Sequence, residues 1–382
     1  MGHRHFAAAV AAAIVGLAEV SGAAQPGLAR EPVAPGPVLE NGRPRGLPLN
    51  GDGREKRNAG FRVSIDNDLL SYGQSDADYT AGFAVTLAGR RAASSPFSLD
   101  TAVGWLDPLV PATRRSHPPY RLHSLQVGLM AFTPDNLNTA APIFDDRPYA
   151  SLLFVSNGRT FVSDPMEPVY DTSFTVGLLG LDVAKLLQKG LHEALQLDEV
   201  PAGWDHQISD GGEPTLRFMW ARQALLASDF QSDRREHEIK WRTEASVGYV
   251  TEAAISVSGR WGRINTPWWS FAPEHGDYVL QPSPVIGTAV RDDVRELYLW
   301  GGVKIRARAY NAFLQGQFRD SDVEIDGDAI ERITAEAWIG VTWQPAPVLR
   351  LSYAARYQTA ELERGPGSRD IRWAGFIVSR NF

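Results

Sequence analysis

The 382-residue chain contains no cysteine. A disulfide framework, a zinc–thiolate site and a cysteine nucleophile are therefore excluded. It also lacks a G-x-S-x-G elbow, a G-x-x-x-x-G-K-[ST] phosphate loop and a dinucleotide-binding fingerprint, so the usual signatures of α/β-type serine hydrolases and nucleotide-binding enzymes are missing. The formal charge is −7 without a basic stripe. Nothing in the sequence therefore supports nucleic acid as a partner.

Long hydrophobic runs are also missing: no stretch of 18 apolar positions occurs beyond the N-terminus. Residues 1–24 show a short basic start, an apolar segment and small residues at a cleavage position, the pattern of a secretory signal peptide. Residues 25–58 are rich in Pro, Gly and Arg, which predicts a disordered leader because they cannot bury enough apolar surface. We expect the folded domain to span residues 59–382.

Alternation of apolar and polar residues fills this predicted domain. In "YTAGFAVTLAGR" the apolar positions Tyr79, Phe83, Val85 and Leu87 are separated by small or polar ones. The same pattern recurs around residues 239–249, 333–343 and 349–357. Successive side chains of a strand point to opposite faces. Each segment is therefore predicted to be a strand with one apolar face and one polar or charged face.

The strands are long, and their number is even. We predict twelve: 61–68, 79–90, 121–132, 148–163, 167–180, 213–226, 235–250, 252–262, 293–309, 330–344, 347–361 and 369–382. Strands of soluble sheets have about 5 or 6 residues, whereas membrane barrels combine longer strands, an apolar outer band and aromatic girdles. The sequence therefore predicts an all-β, 12-stranded antiparallel transmembrane β-barrel of the bacterial outer membrane. The alternative fold is a soluble periplasmic β-sandwich.

One segment, "LDVAKLLQKGLHEALQLDEV", changes to a helical period. It predicts a short helix in an extracellular loop, with Asp182 as its N-cap. Gln188 and His192 are four residues apart and share a face. Taken alone, such a histidine is more often a surface or packing residue than a catalytic one. With a periplasmic N-terminus, however, this helix and the loops after the first and third strands all lie on the extracellular rim.

The first of these loops carries a cluster of oxygen-bearing side chains. Asn67, Asp68 and Thr80 offer hard oxygen ligands of the kind that calcium prefers, although a solvated turn rich in Asp and Asn is the alternative. By strand alternation, Asn67 is expected to face lipid, whereas Asp68 and Thr80 are expected to face the lumen. A β-bulge at the strand end would reconcile them.

Five motifs jointly resemble a known family, the outer-membrane lipid A 3'-O-deacylases. They are "NDLL" (67–70), "DYTAG" (78–82), "DDRPYAS" (145–151), "QKGLH" (188–192) and "GWDHQ" (203–207). The resemblance implies a 12-stranded barrel whose active site lies between the wall and the helix. It also implies a bound calcium ion, Ca2+, and catalysis without a covalent intermediate.

The resemblance also implies roles for individual residues. His192 would be the base that activates water, with Gln188 beside it, and the catalytic set would be completed by Asn67, Asp68 and Thr80. The implied metal ligands are Asn67, Asp68, Thr80 and Asp198, with Glu199 as the alternative to Asp198. Arg147 and Tyr149 match the "DRPY" motif and would either bind lipid phosphates or brace the site. Asp66, Asp76 and Asp78 are expected to face solvent.

The chain departs from the family pattern in the second outer loop. "LNTAAPIF" carries no base where the family has a Lys-Arg pair, so weaker binding or a different lipid is expected if those bases hold phosphates. The leading hypothesis is a monomeric, calcium-dependent enzyme that hydrolyses the 3'-linked acyl ester of lipid A (lipopolysaccharide) in the outer leaflet. The alternative is a barrel without enzymatic activity, either a structural protein or a small channel.

Overall fold

A computed structural model describes residues 39–40, 43–44, 46–71, 78–114, 118–164, 166–186, 188, 190, 201–209, 211–228, 235–274 and 294–382. The predicted signal peptide lies outside these residues. So do four side chains of the sequence hypothesis: Asp76, His192, Asp198 and Glu199.

Twelve antiparallel strands close into a barrel. They are β1 (Gly60–Asn67), β2 (Asp78–Ala88), β3 (Tyr120–Thr133), β4 (Ala150–Val162), β5 (Val169–Leu179), β6 (Glu213–Ser228), β7 (Arg235–Gly248), β8 (Val250–Ile264), β9 (Leu297–Asn311), β10 (Ile333–Ala346), β11 (Leu349–Gln358) and β12 (Ile371–Asn381). The last strand pairs with the first, with Phe376 opposite Ile65. Closure leaves no free sheet edge, and the predicted fold class is confirmed.

The alternation in the sequence separates the two faces of the wall. On β9, the side chains of Leu299, Val303 and Ile305 point outward and are 54–57% exposed, whereas Lys304 and Arg306 between them point inward and are 1% exposed. Half-exposed apolar residues recur on the outside of the other strands, among them Ile65, Phe83, Val127, Ile255, Ile339 and Phe376. This apolar outer surface is the one that a membrane barrel presents to lipid.

Ion pairs fill the interior of the barrel. Arg242 lies 2.7 Å from Asp171 and 3.0 Å from Glu244. Lys240 pairs at 2.9 Å with Glu274, which belongs to a loop that folds into the lumen after β8. We call residues 265–274 the plug loop. Because the charged side chains contact one another rather than bulk water, the described interior differs from the water-filled lumen expected of a channel.

The barrel has two rims. The inner rim carries the start of β1 and the end of β12. The outer rim carries the loops after β1, β3, β5, β9 and β11 and, in the loop after β5, the predicted helix. Residues 183–186, 188 and 190 are helical; we call them the rim helix. No helix among the described residues is long and apolar enough to cross a membrane.

Further short helices occur that the sequence analysis did not predict. They are α1 (Arg90–Ser94), α2 (Asp100–Val103), α3 (Ala312–Gln315) and 3-10 turns at Asp68–Leu70, Gly104–Leu109, Pro111–Arg114, Trp204–His206 and Trp268–Ser270. The segment with α1 and α2 lies against the outside of β4, where Arg159 pairs with Asp100 at 2.6 Å and Asp107 at 2.9 Å. Arg159 thus lies on the outer face of the wall, where the segment covers it and supplies its carboxylate partners.

Part of the predicted leader is packed. A two-residue hairpin joins Leu39–Glu40 to Arg43–Pro44. Leu47 is buried in a cluster with Trp268 of the plug loop. Glu55 accepts a 2.8 Å hydrogen bond from the backbone N–H of His123 on β3. The predicted disorder therefore does not extend to residues 46–58, because they gain buried contacts with the barrel that their composition alone does not reveal.

Candidate active site

A β-bulge at Thr80 builds the centre of the site. In the pairing of β2 with β3, Tyr79 lies opposite Phe132 and Ala81 opposite Ala131, so Thr80 is the extra residue. Tyr79 packs inside the barrel, while the Oγ1 atom of Thr80 lies 2.5 Å from that of Thr133. Strand alternation placed Asn67 on the lipid side and Thr80 on the lumen side. The bulge removes this conflict, because it lets the Thr80 side chain reach Thr133, which lies in the outward-facing register of β3.

Asn67 joins the same group from the adjacent strand. Its Nδ2 atom donates to the backbone carbonyl of Thr80. Its Oδ1 atom accepts from the backbone N–H of Leu69 at 2.7 Å, and Oδ1 of Asp68 accepts from the same N–H at 2.8 Å. The two side-chain oxygens therefore converge on one point. Asp68 is only 2% exposed, so its carboxylate belongs to the protein interior and not to a wet turn.

The rim helix covers the outward side of this part of the wall. Ala184 of the helix packs in one buried cluster with Ala131 of β3, Tyr149 and Trp204. Ala81, next to Thr80, packs against the same cluster. The rim helix therefore packs over the outside of the wall next to Thr80.

Gln188 is held in place from the following loop. It is 6% exposed, and its Oε1 atom accepts a 2.7 Å hydrogen bond from the indole Nε1 of Trp204. Trp204 in turn packs against Tyr149 in a tilted arrangement, with ring centroids 4.9 Å apart. A Cβ on Gly203 would come within 2.5 Å of the Tyr149 ring, so glycine is required for this approach. Tyr149 thus orients Trp204, which orients Gln188.

The helix and the following loop are also joined at the surface. Nζ of Lys185 donates to Oδ1 of Asp205 at 2.5 Å. This hydrogen bond lowers the pKa of Asp205 and raises the pKa of Lys185. Both groups are exposed and solvent screens the pair, so its contribution to stability is small.

Arg147 is buried in an ion-pair cluster beneath the outer loops. It is 2% exposed and pairs with Glu361 and, at 3.6 Å, with Asp78. Asp78 also accepts from Arg369 at 2.8 and 3.0 Å, and Arg369 reaches Asp146 at 2.8 Å. Of the two roles that the motif allowed, this geometry favours bracing over contact with lipid phosphates.

Two acidic residues differ from expectation. Asp66 and Asp78 were expected to face solvent, yet they are 8% and 5% exposed. Asp66 is in the lumen-facing register of β1, opposite Gly375 of β12. Asp78 adopts a left-handed backbone conformation with φ of 69°, and its pairing with Arg369 offsets the associated strain. Both predictions were wrong: Asp66 is buried in the lumen-facing register, and the partner of Asp78, Arg369, lies 291 positions away in the sequence.

The structure thus brings Asn67, Asp68 and Thr80 together and places Gln188 on the covering helix. His192 and Asp198 lie outside the described residues. Sequence reasoning missed Thr133 and the role of Trp204. One feature of the sequence could have indicated Thr133: it is a polar residue that continues the outward-facing positions of Val127 and Leu129. The part played by Trp204 depends on the fold of its loop, which no local pattern predicts.

Fold and site together define a class: an outer-membrane β-barrel with a polar site between its wall and a helix of the outer rim. The chain matches the family described as "Outer membrane protein LpxR" over residues 21–382. It therefore belongs to the LpxR family. No curated protein sequence matches the chain.

Solved structures match the chain to different degrees. LpxR from Salmonella typhimurium matches with a TM-score of 0.62 and 16% identity, covering 85% of this chain and 100% of that one. The COG4313 outer membrane channel from Pseudomonas putida F1 matches at a TM-score of 0.38 and 7% identity, covering 87% of this chain and 99% of that one. The match to LpxR supports the same 12-stranded barrel fold.

Proposed function

We propose that this protein is a lipid A deacylase of the outer membrane that hydrolyses the 3'-linked acyl ester with the help of calcium. Membership of the LpxR family supports lipid A deacylation. The observation that carries the proposal is the position of Asn67, Thr80 and Thr133 on the outward side of the wall, under the rim helix. A site there opens toward the lipid phase, where the ester of a lipid in the outer leaflet is within reach.

The described donor atoms fit a hard cation. Among the residues described, no three His, Cys, Asp or Glu side chains group in a way that could hold a metal. Oxygens of Asn67, Asp68 and Thr80 nevertheless lie together, and calcium accepts carboxylate, amide and backbone oxygens alike. Asp198 would supply a second carboxylate. When bound, calcium would stabilise the negative charge that develops on the ester carbonyl oxygen.

The residues of the chain would carry the remaining chemistry. His192, one turn after Gln188 on the predicted helix, would take a proton from water, whose oxygen then attacks the ester carbonyl. The ester C–O bond breaks, the sugar hydroxyl leaves with a proton, and the fatty acid is released. No side chain forms a bond to the acyl group in this scheme. Gln188, held by Trp204, would position the histidine or the water.

Mass spectrometry of lipid A incubated with the purified protein tests this proposal. We expect loss of the 3'-linked acyl group with calcium, no loss after chelation with EDTA, and recovery when calcium but not magnesium is restored, since magnesium requires a tighter octahedral shell. Unchanged lipid A under all conditions would favour a barrel without enzymatic activity.

Two variants test the assigned roles. His192→Ala and Asn67→Ala are both expected to abolish deacylation while the barrel keeps its heat-modifiable mobility on gels. The matched control is His206→Ala, because His206 is an exposed histidine of the same loop without an assigned role. Full activity of His192→Ala would overturn the mechanism.

A further inference from the structure

A second candidate site, lined by both apolar and polar side chains, lies at the inner rim, inside the barrel and away from the outer-rim site. It is a cavity of about 30 Å³, which exceeds the ~10–15 Å³ that one water molecule needs. The plug loop and the lumen-facing side chains of β1 and β9–β12 enclose it. Its lining comprises Arg62, Thr266, Ser270, Phe271, Ala272, Pro273, Tyr298, Trp300, Thr342, Arg350, Ser352, Ile377 and Ser379.

Two arginines flank a serine on one side of this cavity. Ser379 of β12 lies opposite Arg62 of β1 and opposite Arg350 of β11. Adjacent strands are about 4.8 Å apart, so the Cα atoms of the two arginines are roughly 10 Å apart. Arg62 is 9% exposed and Arg350 is 2% exposed. The barrel register therefore places a row of donors, Arg–Ser–Arg, along one wall of the cavity.

The one carboxylate bound to Arg350 is already saturated. Oε2 of Glu296 accepts from Nε of Arg350 at 2.5 Å. Oε1 accepts from the backbone N–H groups of Asn265 and Thr266 and from the Thr266 hydroxyl, each at 2.8 Å. Within the described part of the chain, both Nη atoms of Arg350 remain buried without a hydrogen-bond partner. Buried guanidinium N–H groups normally find acceptors, because leaving them unpaired costs free energy.

Arg62 lacks a carboxylate partner altogether in the part of the chain that the structure describes. Its buried Nε atom has no hydrogen-bond acceptor among the described residues. Arg260, whose guanidinium lies over the Tyr298 ring of the lining, pairs with Glu238. Beside the cavity, the guanidinium groups of Arg62 and Arg350 therefore outnumber the Glu296 carboxylate that pairs with Arg350.

We infer that this cavity binds a small free oxyanion of the phosphate class. Guanidinium groups recognise such oxygens through paired N–H donors, and an ion with several acceptor oxygens can contact Arg62, Arg350 and the Ser379 hydroxyl at once. The ion is a free one and not a lipid headgroup, because the lining side chains face the lumen. The bound anion ties β1, β11 and β12 together at the seam where the first and last strands meet.

Isothermal titration calorimetry of the purified full chain in detergent micelles tests the inference, with inorganic phosphate as the probe and sodium chloride at matched ionic strength. We expect saturable phosphate binding by the native sequence and at least tenfold weaker binding by Arg62→Met. Arg62 is the residue to change because its removal leaves no carboxylate unpaired. Arg364→Met is the matched control and should bind phosphate as the native sequence does, since Arg364 is an exposed outer-rim residue.

A milder variant keeps the test decisive if Arg62→Met fails to fold. Ser379→Ala removes one hydroxyl and keeps both arginines, so we expect it to fold and to bind phosphate several-fold more weakly. The inference is overturned if the native chain binds no phosphate beyond the chloride background, or if both Arg62→Met and Ser379→Ala bind it as tightly as Arg364→Met. These outcomes do not depend on deacylase activity, so they test the anion site separately from the proposed function.

Discussion

The outer-rim site and the barrel interior are both buried and polar, but they are held together by different interactions. Around the site the described contacts of Asn67, Thr80 and Thr133 are hydrogen bonds between neutral groups. In the interior, charged pairs dominate, as where Arg242 lies between Asp171 and Glu244. The two kinds of interaction therefore have different roles. Ion pairs fill the barrel interior, whereas neutral hydrogen bonds position the side chains of the candidate site.

This division has a physical reason. A buried ion pair is tolerated only while both partners remain, because removing one leaves a desolvated charge. A reacting site instead needs groups whose arrangement survives a change of ligand or protonation. Neutral hydrogen bonds, each worth about 1 kcal/mol net, meet that requirement. The comparison predicts that substitutions inside the barrel affect stability most and substitutions at the rim affect activity most.

The largest effect on stability is expected from Arg242→Met. Removing this guanidinium leaves the carboxylates of Asp171 and Glu244 buried without it, which costs about 3–5 kcal/mol. Denaturant unfolding of the barrel in lipid vesicles measures the change. Arg364→Met is the control, since Arg364 and Asp328 are 69% and 76% exposed and such pairs contribute ~0–1 kcal/mol. Equal stability of the two variants would contradict the proposed role of the interior pairs.

A smaller, purely functional effect is expected from Trp204→Phe. The change removes the indole N–H that holds Gln188 but keeps an aromatic ring against Tyr149. We expect kcat for lipid A deacylation to fall roughly 10- to 100-fold with little change in KM, because a misplaced group costs on that order. Trp220→Phe is the matched control: its buried indole N–H has no hydrogen-bond partner among the residues that the structure describes, and it lies in another cluster with Phe161. If the two variants had a similar kcat, Trp204 would not be a positioning residue.

The smallest effect is expected at the surface pair of Lys185 and Asp205. The pKa of Asp205 is lowered by the Lys185 hydrogen bond, so the pair is formed above the ordinary value of 3.8 and is lost as pH falls through the lowered pKa. Its contribution is therefore complete at neutral pH and disappears only in acid. We expect Lys185→Met to change deacylation less than twofold at pH 7, measured against the native chain. A large loss at pH 7 would show that the pair holds the rim helix more firmly than its exposure implies.

Much of the barrel was predictable because strand periodicity is a local property. The predicted strand 213–226 corresponds to Glu213–Ser228, and 369–382 to Ile371–Asn381. The alternation also separated the lipid-facing residues from the charged interior. Within the site, Asn67, Asp68 and Thr80 were found from their oxygen chemistry, their place at strand ends and the family motifs. Hydrogen bonds link Asn67, Asp68 and Thr80 through shared backbone groups, while the roles assigned to these residues, to His192 and to Asp198 stay predictions.

The sequence by itself determined the number of strands and the face that side chains take within the regular part of each strand, since these follow from a two-residue period and the count of chain reversals. Only the tertiary structure decided on which side of the wall the site lies. That choice depends on a single extra residue, Thr80, in the pairing with β3, and on the rim helix that covers it. It also decided which acids are buried: Asp78 meets Arg369 across 291 positions of sequence, a contact that exists only because the barrel closes.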